Sequence, residues 1–281
     1  LSWRYRVGDE WSTWIKLSPP HEGQAKNRVA YIAPPLEEAI EAWQLSCASS
    51  VPKKLIARLF IAPPAHEKKK LSLARIDSLN CSCPPPPICN RNCWCPSGNC
   101  PPPNAYTTTS PTHLIVHHSA GFTNYNDYQW VVAYYWDLHV NTNGWSDIGY
   151  NWLIDPNGVV YEGRGSGHLG SHFSCMNSGT LGICFIGNYV SNSPARAGLQ
   201  KLSEILLYEA CQNSINLNDS SLHQSSLLNL RHISGHMDAN PATVGCPSGT
   251  ACPGTQLYQK LDSLAQALSQ SPCYLSSSAF S

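Results

Sequence analysis

Between residues 81 and 103 the chain carries six cysteines (Cys81, Cys83, Cys89, Cys93, Cys95 and Cys100) interleaved with runs of proline. Proline fixes φ and withholds a backbone donor, so this segment cannot sustain helix or sheet hydrogen bonding over any length. Nor can it bury an apolar core of its own, so disulfides or a metal must hold it. Zinc modules favour C-x2-C pairs, whereas the spacings here are mostly C-x-C or C-x3-C. Residues 66–111 are therefore expected to form a disulfide-stapled Cys/Pro-rich linker, with its connectivity open.

Seven further cysteines, at 47, 175, 184, 211, 246, 252 and 273, bring the total to thirteen. Such usage points to an oxidising compartment, so a secreted, extracellular or periplasmic location is expected. Thirteen is odd, which leaves one thiol over if the rest pair within the chain, and zinc is the role assigned to it here. Charged residues make up 13%, and 18 basic side chains balance 18 acidic ones. That balance gives no electrostatic reason to bind nucleic acid or anionic lipid. No apolar run approaches the ~18 residues of a membrane span, and Leu1 does not open a signal peptide. The chain reads as a soluble, already processed product, with a monomer as the expected state.

Three regions follow from patterning. In residues 1–65, Trp3, Tyr5 and Val7 alternate with Arg4 and Arg6 before a Gly8-Asp9-Glu10 turn, which predicts short β-strands in a small accessory module. Leu36–Trp43 suggests a helical turn or two, and Lys54–Ile61 another strand. After the linker, residues 112–273 predict one α/β domain, and 274–281 a flexible tail. Within the domain, strands are expected at Thr112–His118, Ile148–Ile154, Val159–Glu162, Leu181–Ile186 and Leu230–Ile233. Helices are expected at Asp127–His139, over Leu199–Ala210, and over Leu257–Leu268. Strands and helices in that order imply a mixed central β-sheet flanked by helices.

Three groups in this domain suit a metal: His117-His118 at the end of an apolar strand, His236 in Gly-His-Met-Asp, and Cys252 before Pro-Gly. Two imidazoles and one thiolate, with water in the fourth position, is the composition of a catalytic zinc site. Adjacent strand residues face opposite ways, so only one of His117 and His118 can enter it.

Six stretches occur in order: Leu114-Ile-Val-His-His-Ser119, Gly144-Trp-Ser-Asp-Ile-Gly-Tyr-Asn151, Asp155-Pro-Asn-Gly-Val-Val-Tyr-Glu-Gly-Arg164, Gly182-Ile-Cys-Phe-Ile-Gly-Asn188, Gly235-His236, and Cys252-Pro-Gly254 with Leu257-Tyr258. Together they resemble the peptidoglycan recognition proteins and type 2 N-acetylmuramoyl-L-alanine amidases, over roughly residues 112–270. The resemblance implies a zinc hydrolase that cuts the amide between muramoyl lactate and L-alanine of peptidoglycan. The alternative is a peptidoglycan-binding module of the same fold that does not cut; family members without the cysteine ligand behave so.

Carried over by motif, His117, His236 and Cys252 would hold zinc, Tyr150 would be the catalytic tyrosine, and Thr250 would stand near the oxyanion. Arg164, His172, Asn177, His118 and Trp145 are the groove candidates, with His118 expected to face the other side of its strand. One departure is that sixteen positions separate His236 from Cys252, wider than is usual in the family, with Cys246 between them. The context of Cys252 up to the final helix favours it over Cys246. A Gly-Trp pair that reads the third stem residue in some relatives is Gly165-Ser166 here, which leaves diaminopimelate versus lysine open. Gly165-x-Gly-x-x-Gly170 also matches a dinucleotide fingerprint, but a polar stretch follows instead of a helix.

Overall fold

The computed structural model describes residues 2–7, 9–12, 15–16, 42–46, 83–121, 123–242 and 249–275. Near the N-terminus the alternating segment forms β1 (Ser2–Val7), paired antiparallel with β2 (Glu10–Trp11), β3 (Ile15–Lys16) and β4 (Ala42–Ser46). Trp43 therefore sits in a strand and not in the expected helical turn. Its backbone is in register opposite Tyr5 of β1, and the high strand propensity of tryptophan agrees with that pairing over a weak helical periodicity. Residues 36–41 and the strand expected at 54–61 lie outside the described residues.

The Cys/Pro segment is stapled by disulfides, as expected, and packs against the domain that follows it. Cys83 is bonded to Cys273, so the segment's start is tied to the chain's far end. Two short loops close at Cys89–Cys93 and Cys95–Cys100. Leading into the first loop, β5 (Ile88–Cys89) lies parallel to a domain strand, and α1 (Arg91–Trp94) follows, capped by the Asn90 side chain. Trp94 is buried, its indole N–H donating to Glu162 O at 2.8 Å. Arg91 and the Tyr106 hydroxyl both bond the enclosed Asp147 carboxylate at 2.5 Å.

The domain continues with β6 (His113–His118), α2 (Tyr128–Asp137), β7 (Trp152–Ile154), β8 (Val160–Glu162), β9 (Thr180–Phe185), α3 (Arg196–Gln212), the hairpin β10 (Ser220–His223) and β11 (Leu228–Arg231), and β12 (Ile233–Gly235). It closes with α4 (Thr255–Tyr258), α5 (Leu261–Ser269) and α6 (Pro272–Leu275). Six strands form one sheet in the order β12-β6-β9-β7-β8-β5, parallel except for the β7–β8 pair. That pair is joined where Asp155 Oδ1 accepts the Val159 N–H and Gly158 adopts φ +85°.

Every residue of β6 and β9 is buried, as a central parallel pair covered on both faces must be. On one face Leu114, Val116, Ile183 and Phe185 pack with Leu202, Ile205 and Leu206 of α3 and Leu261 of α5. On the other, Leu153, Cys184 and Ile186 pack under Val131, Val132 and Tyr135 of α2. The single final helix expected from Leu257 to Leu268 is two, α4 and α5. Tyr274 in α6 is buried, its hydroxyl donating to Ile215 O at 2.8 Å; residues 276–281 lie outside the described residues.

Candidate metal centre

Alternation along β6 sends His118 to the α3 face, where its Nδ1 accepts the Tyr189 N–H at 3.2 Å, and His117 to the other. Gly235 of β12 is level with Val116 of β6, so the residues that follow, His236 and His117, emerge side by side at the carboxyl ends of parallel strands. This is where open α/β sheets place their sites. The two imidazole centroids are 4.8 Å apart. Asp238 fixes the turn after His236: its Oδ2 accepts the Gly235 N–H at 2.9 Å and its Oδ1 the Tyr258 hydroxyl at 2.5 Å. The Asp two residues after His236 was visible in the sequence, but its role requires Tyr258 from α4.

Cys252 comes from a loop stitched to that same turn, since the Met237 N–H donates to Cys252 O at 2.7 Å. Thr250 Oγ1 accepts the Cys252 N–H at 3.0 Å. Past it, Gly254 has φ +87°, and a Cβ there would fall 2.3 Å from the Tyr189 carbonyl carbon; only glycine permits this approach. Among the described residues Cys252, like the buried Cys184, forms no disulfide. Its Sγ lies 3.6 Å from His117 Nδ1 and accepts the His118 N–H at 3.2 Å. The thiolate is the form in which such a sulfur ligates metals.

The ligand atoms of His117, His236 and Cys252 all lie within 4.8 Å of one another. His117 and Cys252 are fully enclosed, and His236 is 8% exposed. Two nitrogens and one sulfur at this spacing fit the donor set of a zinc ion with one corner open. Cys246 lies outside the described residues.

The remaining sequence candidates occupy two layers. Tyr150 is beside the cluster, with its ring 5.4 Å from that of His117. A π-helical turn at Leu138–Thr142 ends α2 and places His139 against Trp145, stacked at 4.7 Å, and against Tyr150, edge to face at 5.9 Å. His172 Nδ1 is 2.9 Å from His117 Nε2. Asn177 Oδ1 accepts the backbone N–H groups of His172 and Phe173, both at 2.8 Å. Arg164 is buried, its guanidinium donating to Ile148 O, Leu169 O, Asp147 O and Ser171 Oγ. Those bonds brace the segment carrying Tyr150. Ser166 is turned to α3, where its hydroxyl donates to Glu209 Oε2 at 2.9 Å.

A mixed α/β sheet with a His-His-Cys cluster at its carboxyl edge defines a candidate mononuclear metalloprotein. The chain belongs to the N-acetylmuramoyl-L-alanine amidase family (Amidase_2), which it matches over residues 107–255, more than half its length. It is 31% identical to peptidoglycan-recognition protein SC2 of Drosophila melanogaster over 158 residues, 53% of this chain and 72% of that one. An N-acetylmuramoyl-L-alanine amidase of Sus scrofa is 41% identical over 69 residues, 25% of this chain and 12% of that protein. Wild-type Drosophila PGRP-LB superposes on 63% of this chain and 92% of its own, at 23% identity and a TM-score of 0.49. Among the described residues, no helix is long and apolar enough to cross a membrane.

Proposed function

We propose that this protein is a secreted, zinc-dependent amidase that hydrolyses the bond between N-acetylmuramoyl lactate and L-alanine in peptidoglycan. The observation that carries this reading is Cys252: a reduced, enclosed sulfur facing two imidazoles, in a chain whose cysteines 83, 89, 93, 95, 100 and 273 are oxidised. The disulfides argue for an oxidising compartment; of the two described cysteines outside disulfides, Cys184 lies in the apolar core under α2 and only Cys252 faces the imidazoles.

Zinc held there would polarise the scissile carbonyl and make hydroxide available near neutral pH. His117, His236 and Cys252 would hold it. The Tyr150 phenol, protonated at neutral pH, would donate to the carbonyl oxygen as negative charge develops on it. Thr250 acts by anchoring the Cys252 loop through its Oγ1. Arg164 and Asn177 keep the walls of the groove in place, and Trp145 backs His139.

The test is mass spectrometry of muropeptides after digestion of purified sacculi, with and without a chelator. Free stem peptides that appear only with metal present support the assignment. Intact muropeptides retained on the protein without release would make it a binding module of the same fold.

A further inference from the structure

We infer that His172 is a positioning residue for the metal ligand His117, an assignment that rests on the zinc reading above. His117 offers Nδ1 to the cluster, the nitrogen 3.6 Å from Cys252 Sγ. A neutral imidazole with that lone pair open carries its proton on Nε2, and Nε2 is the atom 2.9 Å from His172 Nδ1. His117 therefore donates and His172 accepts. His172 must then carry its own proton on Nε2, which lies 3.4 Å from Thr180 Oγ1. That oxygen can accept, because its own hydrogen is directed to Asn177 O at 2.8 Å. Donors and acceptors match at every step from His117 through His172 and Thr180 to Asn177, in one direction only.

The scaffold holds this ring in place. His172 is 2% exposed and wedged between two glycines. A Cβ on Gly170 would stand 2.3 Å from its Cδ2, and one on Gly182 would stand 2.4 Å from its Cγ. Asn177 fixes the backbone at His172 from below. The ring has one place to be, and it fixes both the tautomer and the tilt of His117. Partners of this kind, which raise ligand basicity and orient the ring, commonly carry 10–100-fold in metal affinity.

The test compares zinc affinity, by chelator competition on the full chain, for the unaltered protein, His172→Leu and His172→Asn. The Asn side-chain oxygen falls where imidazole Nδ1 was and can accept the same bond. We expect His172→Leu to lose about 10–100-fold and His172→Asn to recover most of that loss. Equal affinity for all three overturns the inference, as does an Asn variant as weak as Leu. If the unaltered protein takes up no zinc, it is the amidase assignment that fails. Should His172→Leu not fold, imidazole 15N NMR of the unaltered zinc-loaded protein decides the matter. A proton on His117 Nε2 with His172 Nδ1 bare supports the inference, and a proton on His172 Nδ1 ends it.

Discussion

At the N-terminal end of β6, His113 packs against His223 and His232 at ring separations of 5.3 and 5.2 Å; at the C-terminal end, His117 packs against His236 and His172 at 4.8 and 4.9 Å. By composition and spacing the two trios are alike. They differ in where the nitrogens point. In the first, His113 faces Thr112 Oγ1 and Ser221 O, His223 faces Ser226 Oγ and Ser178 O, and His232 faces Ser221 Oγ and Asn216 O. Each ring has one carbonyl to donate to and one hydroxyl to accept from, which suits a neutral imidazole and leaves no lone pair for a metal. In the second, His117 turns one nitrogen to His172 and the other to a sulfur. A histidine cluster becomes a metal site when its lone pairs converge, and a piece of core when the backbone takes them.

Breaking each trio in turn gives the largest expected contrast. Cys252→Ser should abolish zinc retention and lower stem-peptide release by ~10³-fold or more, the several kcal/mol a Lewis acid supplies. His223→Leu should leave release and zinc content unchanged while costing about 1–3 kcal/mol of stability, since Ser178 O and Ser226 Oγ lose their partner. Metal content by mass spectrometry and urea unfolding read both. Loss of zinc in His223→Leu would erase the distinction between the two ends.

A smaller effect is expected from Tyr150→Phe, which keeps the ring against His117 and removes one donor. Turnover should fall about 10²–10³-fold with muropeptide affinity nearly intact. Near-normal release would remove Tyr150 from the reaction and leave it as packing.

Much of this was legible in the sequence because strand periodicity is local. The buried run of β6, the Asp127 cap of α2 and the turn at Asp155–Gly158 follow from neighbouring residues alone. The opposed facing of His117 and His118 follows from strand geometry. The disulfide stapling of the Cys/Pro segment was legible too, but not its partners, because they are remote: β5 pairs with β8, and Cys83 with a residue 190 positions away. The partners of Arg164 and Ser166 were illegible for the same reason. What engages them comes from the Ile148–Ser171 loops and from Glu209 on α3, contacts that no spacing encodes.

The smallest effect separates the N-terminal trio from a second buried ionisable group by pH. Burial, reinforced by His223 and His232, pushes His113 down to about 4 from its usual 6.5. A histidine held neutral by the fold takes up its proton first in the unfolded chain, so stability falls as pH drops through 6.5 and on toward 4. On α3, burial pushes Glu209 up to about 7, against hydrogen bonds from Ser166, Trp152 and Asn213. Its sign is opposite: stability is greatest below the ordinary carboxylate range and is lost as pH rises from about 4.5 to 7. Between pH 7 and 5 the two contributions oppose each other in the urea midpoint of zinc-free protein. Glu209→Gln removes one of them. In that background the drop in stability from pH 7 to 5 should be about 1–2 kcal/mol larger than in the unaltered chain, and adding His113→Phe should lessen it, while His223, also held down by burial, keeps part of the slope. A slope left unchanged by His113→Phe would mean that His113 is not held neutral, and the contrast between the two ends of β6 would lose its physical basis.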